Sequence, residues 1–490
     1  MEKFDILIIG SGVSGLISAI SAAKLGLKVL IVSKADFTES SSLYSQGGIA
    51  VALDPDDSTE EHIADTIKVG KEFCDKKTVE FYIKNIKKHI LTLCDWGIPF
   101  VGYKDGVFDI NELAKEAVHS KRRILKVGDD LCGRSLMKTL LDLACKEKNI
   151  NIAQGINLIE LLVNFEGECI GALFQDLSEN LFEVYANNTI LATGGYSKVY
   201  ERSSNPETSV GDGIACAYRI GAEIRNMRFE QFHPTALQHP KYFLLSESLR
   251  GEGALLFNNH GERFMEKYAP EEMELAQRAV VSKAVWLEEN LTAGVFLDIS
   301  HLKKDFIEKK FSGIRRECLK YGFDLAEQKI PITTIAHYSI GGIKTNLKSM
   351  TSIPKLYAIG ECANTGLHGS DRLASNSLLE CIVSAFSAID NIKNDDSKIK
   401  DFNKIESNYI KTLDINENYN QYEINDLMSE LKNKMWKYCS FERNERELKE
   451  FFEELTKLEE KFLKASIKYN NLKNMILIDK LIVLSILSQF

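Results

Sequence analysis

The first apolar run, Phe4 to Ile9, is short and nearly unbroken, the pattern of a strand buried on both faces of a parallel sheet. Small and apolar residues follow at helical spacing from Val13 to Leu25, and Gly26 stands where a helix stops. Leu27 to Val32 is apolar again. Strand, helix and strand in this order predict a βαβ unit that opens a doubly wound sheet.

Further along, Glu60 to Cys145 reads as helical, broken by loops between Gly97 and Asn111. From Ile150 to Ile190 short strands alternate with turns and end in TILATGG. The texture changes between Arg225 and His337, where Gly-rich turns mix with amphipathic helices, and an inserted domain is expected there. KLYAIG, Lys355 to Gly360, then resumes the strand pattern of the first domain. Beyond Asn394 the chain is rich in Lys, Glu and Asn, lacks glycine and keeps helical periodicity. The expected architecture is an α/β sheet domain (1–225 plus 339–395), an inserted α+β domain (226–338) and a helical C-terminal domain (396–490). The last residues, MILIDKLIVLSILSQF, are interrupted by Asp479 and Lys480 and fall short of the roughly 20 apolar residues that span a membrane. They predict a core-facing helix.

Length and charge narrow the function classes. A chain of 490 residues exceeds one core and predicts two or three domains. With 61 basic against 70 acidic residues and a net charge of −9, it carries no nucleic-acid footprint. An acidic substrate would therefore need a local cationic pocket. The N-terminal residues lack the features of a secretory signal, and a cytoplasmic location is expected. The 10 cysteines show neither a CxxC pair nor zinc spacing, so neither disulfides nor a metal site is expected.

Chemistry enters at Gly10-Ser11-Gly12-Val13-Ser14-Gly15. This is GxGxxG placed between a strand and a helix, where glycines admit a tight turn and close approach of a pyrophosphate to a helix N-terminus. The acidic residue expected after the second strand, to hold a ribose, is missing; the chain reads Ile31-Val32-Ser33-Lys34. Three other segments point to an extended FAD over NAD. Ser40 to Gly48 is a small-residue loop, Ala192 to Gly195 ends a strand in glycines, and AIGE puts the Glu361 carboxylate at a strand's C-terminal edge.

GSGVSGL, SLYSQGGIA, EAVHSKRRIL, ATGGYSKVY, GDGIACA, QFHPTAL, LRGEGALL, HYSIGGI and GLHGSDRLASNSLLE together cover essentially the whole chain. On these motifs the sequence resembles the succinate dehydrogenase and fumarate reductase flavoproteins, and within them the branch that oxidises L-aspartate. The resemblance implies an FAD-binding Rossmann-like domain, an inserted capping domain and a helical C-terminal domain. It implies FAD contacts from Gly10 to Gly15, Lys34, Ser41, Ser42, Leu43, Tyr44, Ser45, Gln46, Gly47, Gly48, Thr193, Gly194, Gly195, Asp212, Glu361, Ser375, Ser377 and Leu378. The respiratory enzymes carry a flavin-linking histidine where this chain has Ser41, so non-covalent FAD is expected.

For the substrate, a dicarboxylate calls for arginines, whose planar forks donate paired hydrogen bonds. Arg278, on an expected helix, and Arg372, in a loop before another, are the candidates. The resemblance adds His233 and His337 at the edges of the insertion as ligands of carboxylate oxygens, with Gln231, and Ser246 beside Glu247 as a hydroxyl–carboxylate pair. It places Glu116 opposite the α-ammonium group, a role that succinate would not require. In the implied reaction aspartate lies between Arg372, His233 and His337 and yields iminoaspartate, with Arg278 assigned to proton transfer. A guanidinium is normally always protonated, which limits Arg278 to a transient relay or to electrostatic support. The Gln277-Arg278-Ala279 string departs from the family's Pro-Arg-Asp and suggests a looser helix entry. Oxygen or fumarate would reoxidise the flavin, and quinolinate synthase of NAD biosynthesis would take the product. The alternatives are a soluble fumarate reductase or succinate dehydrogenase flavoprotein, against which Ser41 and Glu116 argue, and an RNA-modifying or flavin-holding interaction protein, against which the acidic net charge argues.

Overall fold

A computed structural model describes residues 3–37, 39–128, 131–239, 241–395, 397–405, 419–463 and 469–490. The predicted opening unit is present: strand Lys3–Ile9, helix Val13–Lys24 and strand Val29–Ser33, with Gly26 at φ +82° beyond the helix. The helix is buried along nearly its whole length, which explains why it is built from small residues. Its strands form a sheet in the order Ile150–Gln154, Val29–Ser33, Lys3–Ile9, Leu181–Leu191, all parallel. Leu181–Leu191 serves two neighbours. Its first half pairs antiparallel with Cys169–Gln175, which pairs in turn with Asn157–Val163; its last residues pair parallel with Leu356–Ala358.

This topology decides where chemistry can occur. The strands Lys3–Ile9, Leu181–Leu191 and Leu356–Ala358 run in parallel side by side, so their C-terminal ends lie together. Gly10, Gly194 and Gly360 follow those three ends. Loops at such an edge are where open α/β sheets bind ligands.

A separate antiparallel sheet has the order Glu230–Leu237, Ile330–Ser339, Val295–Asp298, Leu255–Asn258, and the helix Arg278–Thr292 packs on it over its own apolar core. In the C-terminal region, helices Gln421–Cys439, Glu445–Leu463 and Asn470–Leu487 pack against the first sheet's core. The last of these buries Met475, Ile476, Ile478, Ile482 and Ile486, so the final apolar stretch faces the core. Among the described residues no helix is long and apolar enough to cross a membrane. The expected helicity does not begin at residue 396. Residues 397–405 contain no helix, and Ile399 and Phe402 cover Ile159, Leu162, Ile170 and Tyr185 on the antiparallel part of the sheet. Two apolar residues three apart read as a helix in sequence, and here they cap a sheet face instead. The expected helix over 406–418 lies outside the described residues.

Candidate active site

At the sheet edge Gly10, Gly15 and Gly195 leave no room for side chains. Gly10 has φ +115°, and a Cβ there would lie 2.1 Å from the Ala192 carbonyl oxygen. A Cβ on Gly15 would lie 2.1 Å from the Gly10 oxygen, so helix and strand touch backbone to backbone. Gly12 caps the helix Val13–Lys24, whose first turn carries no acidic residue, leaving its amides suited to an anion. Ser42 reaches this turn, its Oγ accepting from the Val13 amide at 3.2 Å, and Ser11 bonds Ser33 at 2.9 Å. A Cβ on Gly195 would lie 2.3 Å from Glu361 Oε1, whereas Gly194 borders open space. Burial pushes the Glu361 carboxyl up to about 7.

A cavity of about 550 Å³ opens beside this edge, lined in part by Ser41 to Gly47, Glu361, Ser375, Ser377 and Leu378. Gln46 donates to the Leu244 carbonyl at 2.6 Å, while its own Oε1 is buried without a partner. Side-chain-free turns, a helix N-terminus with no acidic residue in its first turn and buried acceptors fit a flavin dinucleotide, with Ser11 to Ser14 holding phosphate and Glu361 holding hydroxyls.

The same cavity is lined by His233, Ser246, Glu247, Arg278 and His337, together with Glu116 and Arg372. Strand pairing explains the histidines: Glu230–Leu237 and Ile330–Ser339 are antiparallel neighbours, and the two rings lie 5.1 Å apart. His233 Nδ1 accepts from the Thr235 amide at 3.2 Å, so Nε2 is left to donate. Ser204 Oγ lies 2.9 Å from His337 Nδ1. Burial, then Arg278, holds both imidazoles well below their ordinary range, so both are neutral.

The two arginines differ. Arg278 Nε donates to Glu247 at 2.5 Å and Nη1 to Gln231 Oε1 at 2.9 Å. Glu247 also meets Arg250 at 3.4 Å, and Arg250 donates to the Glu274 carbonyl at 2.5 Å. Arg372 is 3 % exposed, and among the described residues no carboxylate lies within ion-pair distance of it. Its guanidinium rests 4.4 Å from the Tyr338 ring centroid, a cation–π contact, and Tyr338 is anchored by donating to Glu380 at 2.6 Å. Burial, then Arg278, brings Arg372 down to about 10. A desolvated cation without an anion is costly in a folded protein, and a bound carboxylate would relieve it.

Glu116 sits on a loop fixed from below. Arg123, fully buried, donates twice to Asp57, at 2.9 and 2.8 Å, and once to Asp65 at 2.7 Å. Asp65 also accepts from Ser120 backbone and hydroxyl at 2.8 Å each. Between this clamp and Glu116, Val118 adopts φ +68°, an unusual angle for a β-branched residue. Glu116 accepts from Ser375 at 2.6 Å, and burial, reinforced by Glu247, raises its carboxyl despite that bond.

Most residues expected from sequence thus lie around one cavity or on the edge beside it, including Gly48, whose amide donates to Ser375, and Thr193. Gln231 and the helix entry at Arg278 depart from expectation. Gln231 turns its amide away from the cavity, onto Arg278, Asp371 and Arg372, and lines a second cavity instead. Lys34 and Asp212 pair with each other at 2.5 Å, and Asp212 also accepts from Asn474, so neither is an isolated charge. The Arg278 helix entry is regular: Val280 and Val281 donate to the Gln277 carbonyl at 3.0 and 3.1 Å, so the missing proline does not loosen it. Sequence reasoning passed over Tyr338, Arg250, Asp371, Ser204 and Asn205, the last of which accepts from the Ser41 hydroxyl. Tyr338 and Asp371 are direct neighbours of His337 and Arg372, and that adjacency was the only signal.

The family described as FAD binding domain matches residues 5–378. The chain is 42 % identical over 403 residues to the L-aspartate oxidase of Vibrio cholerae, covering 80 % of this chain and 75 % of that one. It is 34 % identical to the L-aspartate oxidase of Acinetobacter baylyi, covering 99 % and 90 %. Among solved structures it is similar to a variant FrdA chain of E. coli quinol fumarate reductase, with a TM-score of 0.89, 25 % identity and coverage of 99 % and 89 %. A Mycobacterium smegmatis Sdh1 structure gives a TM-score of 0.82 at 26 % identity, covering 99 % and 87 %.

Proposed function

The chain belongs to the L-aspartate oxidase family of FAD-dependent oxidoreductases, and on that premise we propose how its cavity performs the family's reaction. The substrate is L-aspartate and the product iminoaspartate, the first step of NAD biosynthesis. FAD, when bound along the glycine edge, supplies the hydride acceptor. All other work falls to the chain.

Arg372, the Nε2–H of His233 and the His337 ring grip one substrate carboxylate; Ser246 and Arg278 meet the other. The observation that carries this reading is the buried Arg372, which has no carboxylate partner among the described residues. Glu116 faces the α-ammonium group, and its ionised form balances that charge. As Cα gives up hydride, the amino group's proton passes to the Glu116 carboxylate that faces it, whose hold on a proton is strengthened chiefly by burial. Arg278, kept protonated by Glu247, steadies the carboxylates electrostatically. Holding the donor carbon in one orientation supplies the rest. Lys34, Asp212 and Gln231 have supporting places in this scheme and touch no reacting atom.

The division into sheet domain, insertion at 226–338 and helical region is part of the same reading, with the insertion closing over aspartate. A cytoplasmic location belongs to it as well, favoured by 10 free cysteines. Fumarate, a dicarboxylate of similar size, or oxygen takes the electrons back, and quinolinate synthase consumes the product. A fumarate reductase or succinate dehydrogenase reading leaves the buried Glu116 without a purpose. Anaerobic titration separates the two: L-aspartate should bleach the bound flavin and succinate should not, and the reverse pattern would overturn the proposal.

A further inference from the structure

Behind the active-site wall lies a second cavity of about 310 Å³, lined in part by Gln231, Asp371, Arg228, Lys283 and Arg443. Gln231 and Asp371 stand between it and Arg278. An amide can point either way, and what surrounds it decides. Here the Nε2 hydrogens go to two acceptors, Asp371 Oδ1 at 2.5 Å and the Arg372 carbonyl at 2.8 Å. Oε1 is therefore left to face Arg278, whose Nη1 donates to it at 2.9 Å. Turned round, the amide would present N–H groups to a guanidinium that has only N–H groups to offer.

The same Asp371 oxygen accepts from the Arg372 backbone amide at 3.0 Å. One carboxylate oxygen is thus tied to both substrate arginines, to Arg278 through Gln231 and to Arg372 through its backbone. Its other oxygen, Oδ2, is buried without a hydrogen-bond partner. A half-satisfied buried carboxyl is destabilising, so its place here calls for a role at Oδ1.

We infer that Asp371 is a positioning residue: it fixes the orientation of the Gln231 amide and thereby holds the Arg278 guanidinium in place for the reaction. This rests on Arg278 acting on the substrate, as proposed above. In the holoenzyme, Asp371→Ala should lower kcat about 10- to 100-fold, with the KM for L-aspartate within about threefold and bound FAD unchanged. Asp371→Asn should recover activity to within about fivefold, because its Oδ1 still accepts from Gln231. Asp371→Ala added to Gln231→Ala should cost no more than Gln231→Ala alone, since both act through one contact.

The inference is overturned by an Asp371→Ala kcat within about twofold of the unsubstituted chain, by equal losses in the Ala and Asn variants, or by losses that multiply in the double variant. Should Asp371→Ala fail to fold, a donor–acceptor swap decides. Gln231→Glu removes the amide donor and should be inactive, and adding Asp371→Asn returns a donor from the other side and should restore turnover. No restoration overturns the inference. Arg278→Leu is assayed beside them. Near-normal turnover in that variant removes the catalytic reading of Arg278 itself, whereas loss there with an unaffected Asp371→Ala removes only the positioning role.

Discussion

Arg278 and Glu247 share a 2.5 Å hydrogen bond inside the protein, with the guanidinium Nε as donor. Burial alone would lower the arginine and raise the carboxyl. Their mutual attraction outweighs it and leaves Arg278 above, and Glu247 below, the ordinary value. Both are therefore charged at neutral pH, and Arg278 acts as a fixed positive charge at the cavity wall.

From that pairing, Arg278→Leu is expected to reduce turnover with L-aspartate about 100- to 1000-fold, the scale seen when a preorganised electrostatic donor is lost. FAD should remain, because the side-chain hydrogen bonds of Arg278 go to Glu247 and Gln231 and to none of the residues expected to hold the cofactor. Folding should survive as well, since Arg250 still pairs Glu247 at 3.4 Å. Steady-state assays with flavin absorbance spectra check this; turnover within tenfold of the unsubstituted chain would refute it.

Glu116 should govern the choice between amino and unsubstituted acids. Glu116→Gln keeps an acceptor for Ser375, which donates to Glu116 at 2.6 Å, but removes the charge that would meet an ammonium group. The expected result is a fall of about 10- to 100-fold in kcat/KM for L-aspartate, the scale of one charge-assisted bond. Inhibition by succinate, which has no amino group, should change by less than about threefold, since no charged contact is lost. Equal losses for both ligands would show that Glu116 serves the fold and not the choice.

Ser41 bears on how the flavin is held. Its hydroxyl donates to Asn205 Oδ1, and a serine offers no imidazole for a flavin linkage. Acid precipitation of the holoenzyme should release all the yellow colour into the supernatant. Colour left in the pellet would mean a covalent flavin.

Much of this site is legible in the sequence because its parts lie beside backbone signals. Gly10, Gly194 and Glu361 each follow an apolar strand, and parallel pairing brings such ends together without further instruction. His233 and His337 are 104 residues apart, yet both sit on strands that pair with each other. What was not legible depends on side-chain orientation. Nothing in QFHPTAL says that the Gln231 amide faces Asp371, and nothing in EAVHSKRRIL says that Arg123 points inward to Asp57 and Asp65. The extended path of residues 397–405 was hidden for a related reason. Helical spacing and a covered sheet face place Ile399 and Phe402 equally well, and only the open face of the sheet decides.

The C-terminal helices supply the last prediction. Asp479 stands at the centre of the Asn470–Leu487 helix among Ile476, Ile478, Ile482 and Val483, fully buried, and neither carboxyl oxygen has a hydrogen-bond partner among the described residues. Burial raises its pKa well above the ordinary value, and Lys432 opposes that only in part. Because the folded value exceeds the unfolded one of about 3.9, the contribution to stability is fully present below that pH and is lost as pH rises toward the folded value. Within that window each pH unit removes about 1.4 kcal/mol. Glu230, pushed up to about 8 chiefly by burial, adds a slope of the same sign. Leucine branches at Cγ as aspartate does but carries no polar atoms, so Asp479→Leu should stabilise the protein by about 1–4 kcal/mol at pH 7. It should also flatten, without abolishing, the fall in stability between about pH 5 and 8, because Glu230 keeps its share. Urea midpoints followed by helical circular dichroism at several pH values provide the measurement. A substituted chain no more stable than the original at pH 7, with an unchanged slope, would mean that Asp479 is solvated or paired in solution.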